Sequence, residues 1–82
     1  MFKNKNYNSN NLCGEKIKIL RKQIFPYMSQ RALADKLQLM GVDLDKNAIQ
    51  RIESGQRFVT DIELAAFSKV LCISPAELLG MD

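Results

Sequence analysis

The fold is decided by residues 29–55, which read SQRALADKLQLMGVDLDKNAIQRIESG. Ser29 is a good N-cap for a helix from Gln30 to about Met40, because its hydroxyl can accept a hydrogen bond from a first-turn amide. Four apolar residues recur at helical spacing and predict the buried face of this helix: Leu33, Ala34, Leu37 and Met40. Gly41 can adopt the left-handed angle that ends it.

A shorter and more polar helix follows in the same stretch. Asp45 is its predicted N-cap, and the helix runs from Lys46 to about Glu53 before Gly55 closes it. Its buried positions are only Ala48, Ile49 and Ile52.

Upstream, an apolar stripe predicts a first helix from about Leu12 to Gln23. The stripe consists of Cys13, Ile17, Leu20 and Ile24, and Pro26 ends the helix because the residue before a proline avoids helical angles. Residues 1–11, MFKNKNYNSNN, have no hydrophobic period and are predicted to be a flexible polar and basic arm. Residues 12–82 then form the single folded domain that a chain of 82 residues can support.

Downstream, two capping boxes predict two further helices. They begin at Thr60-Asp61-Ile62-Glu63 and at Ser74-Pro75-Ala76-Glu77. Leu64, Phe67, Ser68 and Leu71 mark the inward face of the fourth helix, and Leu78 and Leu79 that of the fifth. The predicted fold class is therefore all-α, a compact bundle of five short helices.

Composition argues against most catalytic and metal chemistry. The chain has no histidine, so it has no Ser-His-Asp or Cys-His pair and no imidazole ligand. Cys13 and Cys72 are too far apart for a CxxC pair, and we expect both to be small buried hydrophobes, with a disulfide as the alternative. We expect no enzyme activity, no cofactor and no bound metal.

The sequence has neither an apolar run near the ~20 residues of a membrane span nor the apolar core of a signal peptide. We therefore expect a cytoplasmic protein that does not associate with membranes.

Charge is distributed unevenly along the chain. The formal net charge is +3, but residues 1–31 carry seven basic residues against one glutamate, whereas residues 58–82 are net acidic. Such asymmetry is expected of a small module that docks on a polyanion, and equally of a basic face exposed to solvent. Charge alone leaves both readings open.

The predicted third helix carries side chains suited to reading bases. Lys46 and Arg51 can donate hydrogen bonds to guanine, while Asn47 and Gln50 can pair bidentately with adenine. These types occupy the N-terminal part and one side of the helix, the part that a recognition helix inserts into the major groove. A polar surface helix would have the same appearance when considered alone.

The order of these elements resembles a known family. From Cys13 to Leu79 the chain presents a helix, then Ser29-Gln30-x-x-Leu33-Ala34-x-x-Leu37, then Ile49-x-x-Ile52-Glu53-x-Gly55-x-Arg57, then a capped helix and Leu71-x-Ile73-Ser74-x-x-Glu77-Leu78-Leu79. This pattern is similar to the helix-turn-helix domain of the Cro and phage-repressor type, the XRE-like family with a lambda-repressor-like fold. The resemblance covers about four-fifths of the chain.

The resemblance implies a set of roles for residues in this sequence. Base reading would fall to Lys46, Asn47, Gln50 and Arg51, and DNA-backbone contact to Ser29, Gln30, Gln56 and Arg57. It also implies a structural ion pair between Arg21 and Glu53. The expected function is then a sequence-specific regulator of transcription that binds double-stranded DNA, a repressor acting by operator occlusion.

Two departures from the family pattern change the expected geometry. Leu37 and Ile49 are twelve residues apart, which predicts a lengthened turn between helices two and three around Leu39–Asp43. Cys72 stands where the family prefers glycine at the end of helix four, so the chain there must either adopt a strained angle or end the helix differently.

Several alternatives stay open. A homodimer on DNA is expected, with Leu78, Leu79 and Met81 as its candidate surface, and a regulatory protein partner is possible. Phe58 can pack in the core or line a backbone contact; Lys3 and Lys5 can reach a minor groove or remain disordered. The alternative function is a helix-turn-helix fold used as a protein-interaction module, an antitoxin or regulatory subunit, without specific DNA reading.

Overall fold

The computed structural model describes residues 9–24 and 27–81, and these form five helices without a strand. The helices are α1 (Gly14–Gln23), α2 (Gln30–Leu39), α3 (Lys46–Glu53), α4 (Asp61–Leu71) and α5 (Pro75–Leu78). The predicted all-α fold of five short helices is confirmed. No helix in the described ranges has the length and apolar character that crossing a lipid bilayer requires.

Side-chain caps place the starts of the last four helices where the sequence predicts them. The oxygens of Ser29 and Asp45 accept hydrogen bonds from first-turn amides of α2 and α3 at 3.0 and 2.8 Å. Thr60 and Glu63 complete a reciprocal capping box on α4, and Ser74 caps α5. The sequence predicts these four starts because each cap joins residues that are only three positions apart.

The first helix begins two residues later than predicted. The side-chain oxygen of Asn11 accepts the amide hydrogen of Gly14 at 2.7 Å, and α1 starts there rather than at Leu12. Leu12 itself is 55% exposed.

The core lies between α1, α2 and α4, with α3 packed across α1 and α2 and α5 packed on α4. Its largest fully buried side chains include Ile17, Leu33, Leu37, Ile49, Ile52, Phe67 and Leu78. Because α3 contributes Ile49 and Ile52 to this core, its opposite side is held at the surface.

The lengthened turn between α2 and α3 covers residues 40–45 and is anchored in the core. Leu44 is 2% exposed, and the side-chain amide of Gln38 donates to its carbonyl oxygen at 3.3 Å. Leu44 precedes the N-cap Asp45, and Ile49 is the fourth residue of α3, so the pair occupies the positions of a hydrophobic staple. The staple fixes the direction in which the chain enters α3.

The structure contradicts the predicted burial of Met40 and Cys72 and decides the environment of Phe58, which was open. Met40, expected on the buried face of α2, is exposed because it lies just past the last helical residue. Phe58 is 62% exposed, since the loop turns Val59 towards the core instead. Cys72 is exposed at the left-handed end of α4, whereas Cys13 is buried as expected; both are free thiols.

Leu78 is buried in the core, as predicted for the inward face of α5. It is therefore excluded as a candidate for the dimer surface. Leu79 is half-buried, and only Met81, 71% exposed, is fully available at the surface.

The C-terminal part of the predicted arm is bound to the domain. The amide hydrogen of Asn10 is donated to the carbonyl oxygen of Gly55 at 2.7 Å, and the Asn11 side-chain amide donates to the carbonyl oxygens of Ile52 and Arg57 at 3.0 and 2.8 Å. Asn10 and Asn11 therefore belong to the folded domain, although they were predicted to lie in the arm. Lys3 and Lys5 lie outside the described residues.

Candidate nucleic-acid interface

The outward face of α3 consists of the four residues predicted to read bases. Lys46, Asn47, Gln50 and Arg51 are all exposed, while the inward face is buried at Ala48, Ile49 and Ile52. Within residues 9–24 and 27–81, none of the four side chains forms an ion pair or a hydrogen bond. They are therefore available to a ligand that approaches α3 from solvent.

A buried ion pair holds the end of α3 against α1. Arg21 donates from Nε to Oε2 of Glu53 at 2.7 Å and from Nη2 to Oε1 at 2.9 Å, and both side chains are at most 4% exposed. The pair implied by the family resemblance is thus present. Arg21 also donates to the carbonyl oxygen of Met28 at 2.9 Å and to the Tyr27 hydroxyl at 3.2 Å. Hydrogen bonding to Glu53 is the main reason why the pKa of Arg21 is raised, so the guanidinium stays protonated.

Gln30 connects this pair to the second helix. Its side-chain nitrogen donates to Oε1 of Glu53 at 3.0 Å, which directs one end of the amide towards α3. Ser29, one residue earlier, is exposed and caps α2. Both residues lie at the start of α2, next to the beginning of α3.

The two remaining residues predicted to contact the DNA backbone, Gln56 and Arg57, lie in the loop after α3 and have different surroundings. Gln56 is exposed, with its carbonyl oxygen held by the Asn10 side chain at 2.9 Å. Arg57 instead forms two hydrogen bonds with Glu63, at 2.9 and 3.2 Å, and a third with the carbonyl oxygen of Phe58. Its charge is therefore neutralised by α4 rather than presented alone to solvent.

The ion pair with Arg57 also affects the acidity of Glu63. Burial is the largest single influence and opposes ionisation, but hydrogen bonds from Arg57 and Thr60 together outweigh it and lower the pKa of Glu63. The carboxylate is consequently ionised at neutral pH, as the capping box requires.

One exposed cation beside α3 was missed in the sequence. Arg31 lies on α2 and lines, with Asp35, Gln38, Lys46 and Asn47, the groove between α2 and α3. Its position directly after Gln30, outside the apolar stripe of α2, was the available signal.

The buried thiol of Cys13 has little reactivity. Burial raises the pKa of the Cys13 thiol to about 11, so the thiolate is scarce at neutral pH. Among the described residues, no group of three or more Cys, Asp or Glu side chains is arranged to hold a metal ion.

No family model matches the chain, and no curated protein or solved structure matches it. The functional argument therefore depends on the geometry of α3 and its surroundings.

Proposed function

We propose that the protein is a sequence-specific, double-stranded DNA-binding regulator of transcription of the Cro/repressor type, acting as a repressor by operator occlusion. The observation that carries the proposal is the outward face of α3. Two amide side chains and two cations stand there without partners among the described residues, and the inward face of the same helix is buried.

In this proposal α3 enters the major groove. Asn47 and Gln50 would pair with adenine edges, and Lys46 and Arg51 with guanine O6 and N7. Ser29, Gln30 and Gln56 would contact phosphates on either side and set the register of the helix. Arg21 and Glu53 would take no part in binding, because their charges neutralise each other inside the protein.

A homodimer on DNA is the assembly that we infer. One module of this size reaches few phosphates, so two copies on half-sites about 34 Å apart would supply the affinity. Leu79 and Met81 remain as candidates for the dimer surface after the burial of Leu78. The proposed location is the cytoplasm, and a regulatory protein partner would supply any signal.

Fluorescence anisotropy tests this proposal. The protein would be titrated against a duplex selected from a random-sequence library and against a scrambled duplex of the same composition, at two salt concentrations. We expect tighter binding to the selected duplex at both salts, with the logarithm of the binding constant falling as the logarithm of salt rises. Equal binding to both duplexes, lost at the higher salt, would refute specific reading.

Variants of α3 locate the reading face. Asn47→Ala and Arg51→Ala should each reduce the preference for the selected duplex by about 1–3 kcal/mol, because each removes a bidentate base contact. Lys69→Ala is the matched control, since it removes an exposed cation from α4. Thermal melting should be the same in all three variants. Unchanged preference in both α3 variants would show that another surface reads the DNA.

A protein partner is the second candidate function, and one observation favours it. Ile24, Met28, Leu39, Met40 and Val70 line an apolar groove between the ends of α2 and α4, and Leu39 is 88% exposed. Exposed apolar surface of this kind is typical of interaction sites. The variant Leu39→Ser tests this alternative. Loss of function in the cell would favour the interaction module, provided that the preference for the selected duplex is unchanged by the substitution or is already absent in the wild-type protein.

A further inference from the structure

Two apolar surfaces lie at opposite ends of α4. Val70 and Leu71, at the C-terminal end of this helix, line the apolar groove that also contains Leu39 and Met40. A second surface, which we call the apolar patch, lies at the N-terminal end of α4. Its apolar lining consists mainly of Leu12, Phe58, Val59, Leu64 and Leu79. Because α4 has 11 residues, the two surfaces are separated by about 16 Å along the helix axis.

Both surfaces contain large apolar side chains that remain in contact with solvent. In the groove, Leu39 is 88% exposed and Met40 is 42% exposed; in the patch, Phe58 is 62% exposed and Leu12 is 55% exposed. Burial of these side chains against a second surface is favourable, because it removes apolar area from water. Each surface therefore has the character of one side of a protein interface.

The charges beside the two surfaces have opposite signs. Among the described residues, Lys36 is the only charged one that lines the groove, and Asp61 is the only charged one that lines the patch. Both side chains are exposed, and neither forms an ion pair within residues 9–24 and 27–81. Contact between two grooves would bring two lysines together, and contact between two patches would bring two aspartates together. Contact between a groove and a patch instead joins a cation to a carboxylate, so the charges favour the unlike pairing.

We propose that the apolar groove of one copy of this chain binds the apolar patch of a second copy, with Lys36 facing Asp61. Each copy contributes a different surface, so the contact is heterologous and leaves one patch and one groove free. Copies therefore add head to tail, into open chains or closed rings, instead of stopping at a dimer. Neither surface includes a residue of α3, so the inference does not rest on the proposed function. Met81 lines neither surface and stays available for a two-fold contact.

Sedimentation velocity at increasing concentrations of the purified protein tests this proposal. We expect the average mass to rise beyond that of a dimer. Leu39→Ser and Phe58→Ser should each weaken the association about tenfold, because each removes an exposed apolar side chain from one of the two surfaces. Ile19→Ser is the matched control, since it removes an exposed apolar side chain from α1, outside both surfaces. Equal melting temperatures would show that folding is unchanged.

Two results with the wild-type protein would overturn the proposal. A protein that stays monomeric at every concentration would leave both surfaces to other partners. A mass that stops at the dimer would indicate a two-fold contact between like surfaces.

A mixture of the two variants tests which surfaces meet. Leu39→Ser retains an intact patch, and Phe58→Ser retains an intact groove. An equimolar mixture should therefore form dimers with about the affinity of the wild-type contact. These dimers should not grow, because the groove and the patch that stay free are both altered. A mixture that associates no better than each variant alone would refute the pairing of groove with patch.

Charge reversal tests the placement of Lys36 opposite Asp61. Lys36→Glu and Asp61→Lys should each weaken the association by about two- to fivefold, because each replaces an exposed attraction by a repulsion. The double variant exchanges the two charges and should associate as the wild-type protein does. If the two losses added in the double variant, the two charges would not face each other and this placement would be refuted.

Discussion

The backbone of Cys72 at the end of α4 lies in the left-handed region, with φ 57° and ψ 45°. No other non-glycine residue in the described ranges has a positive φ. The sequence left two outcomes open at this position, a strained angle or a different helix end, and the structure adopts the strained angle. Its amide hydrogen is still used, in a 3.4 Å bond to the carbonyl oxygen of Lys69.

Cys72→Gly should therefore stabilise the protein. A side chain in this conformation costs about 1–2 kcal/mol, and glycine gives back about 0.5–1 kcal/mol through the entropy of the unfolded chain. We expect a net gain of about 0.5–1 kcal/mol in urea unfolding. Cys72→Ala is the control, because it removes the thiol and keeps the Cβ; an equal gain in both variants would assign the effect to the thiol.

The buried pair of Arg21 and Glu53 is another feature at which a single substitution should change stability. Further hydrogen bonds connect the pair to Tyr27, Met28 and Gln30. Such a pair contributes little net stability relative to a well-packed apolar pair, but removing one partner leaves an isolated charge.

Glu53→Ala should destabilise the protein by about 3–5 kcal/mol, since it leaves the Arg21 guanidinium buried without its carboxylate. Replacing both residues by Met should recover most of this loss. The free energy of unfolding in urea would measure both effects, with Glu77→Ala as the control at an exposed carboxylate. A full loss that persists in the double variant would indicate that the hydrogen bonds to neighbouring residues, rather than the unpaired charge, dominate.

At the scale of elements, the helices and the turns between them differ in how far the sequence predicts them. The bounds of α3 are as predicted, because Asp45 and Gly55 mark its two ends through local hydrogen bonds and backbone freedom. The path of residues 40–45 was not predicted. It depends on Leu44 reaching a core that α1, α2 and α4 assemble, and the spacing of apolar residues inside helices says nothing about a turn residue.

Leu44 in the turn and Leu39 at the end of α2 therefore have different expected effects on stability. Leu44→Ala should cost about 2–5 kcal/mol, because it leaves a cavity beside Ile49 in the buried cluster. Leu39→Ala, at a side chain that is 88% exposed, should change stability by less than about 0.5 kcal/mol. Urea unfolding of the two variants in parallel provides the comparison. Similar losses in both would mean that the turn packs in a different way.

At the scale of the whole molecule, Asn11 connects the start of α1 to the end of α3 and to the loop after it. Its side chain binds the amide of Gly14 at the start of α1, the carbonyl oxygen of Ile52 at the end of α3 and that of Arg57 in the following loop. Gly14 lies so close to Ile52 that an added Cβ would collide with its carbonyl oxygen. The N-terminal strap of residues 9–11 thus holds α1 against the end of the proposed reading helix.

Asn11→Ala should lower the free energy of unfolding by about 2–3 kcal/mol, because three part-buried backbone groups lose their partner at about 1 kcal/mol each. Asn10→Ala is the matched control: it loses one exposed side-chain bond, to Gln56, and should cost less than about 1 kcal/mol. Thermal and urea unfolding would measure both. Equal, small effects would show that the strap does not contribute to stability.

Some features of the candidate site also have local causes, and others have long-range causes. The exposure of Lys46, Asn47, Gln50 and Arg51 followed from the helical period of α3, since Ala48, Ile49 and Ile52 had to face inward. The engagement of Arg57 by Glu63 could have been suspected only from the capping box. The placement of Arg31 beside Lys46 could not, because the two residues lie on different helices and no spacing in the sequence brings them together.

The sequence alone determined the helical class, the starts of α2 to α5 and the outward face of α3, because caps and amphipathic periods act over three to four residues. Only the tertiary structure decided the burial of Leu44, the exposure of Met40 and Phe58, and the attachment of residues 9–11 to the loop after α3. These outcomes depend on contacts between residues tens of positions apart. Such contacts form only when the helices pack, so no local pattern encodes them individually.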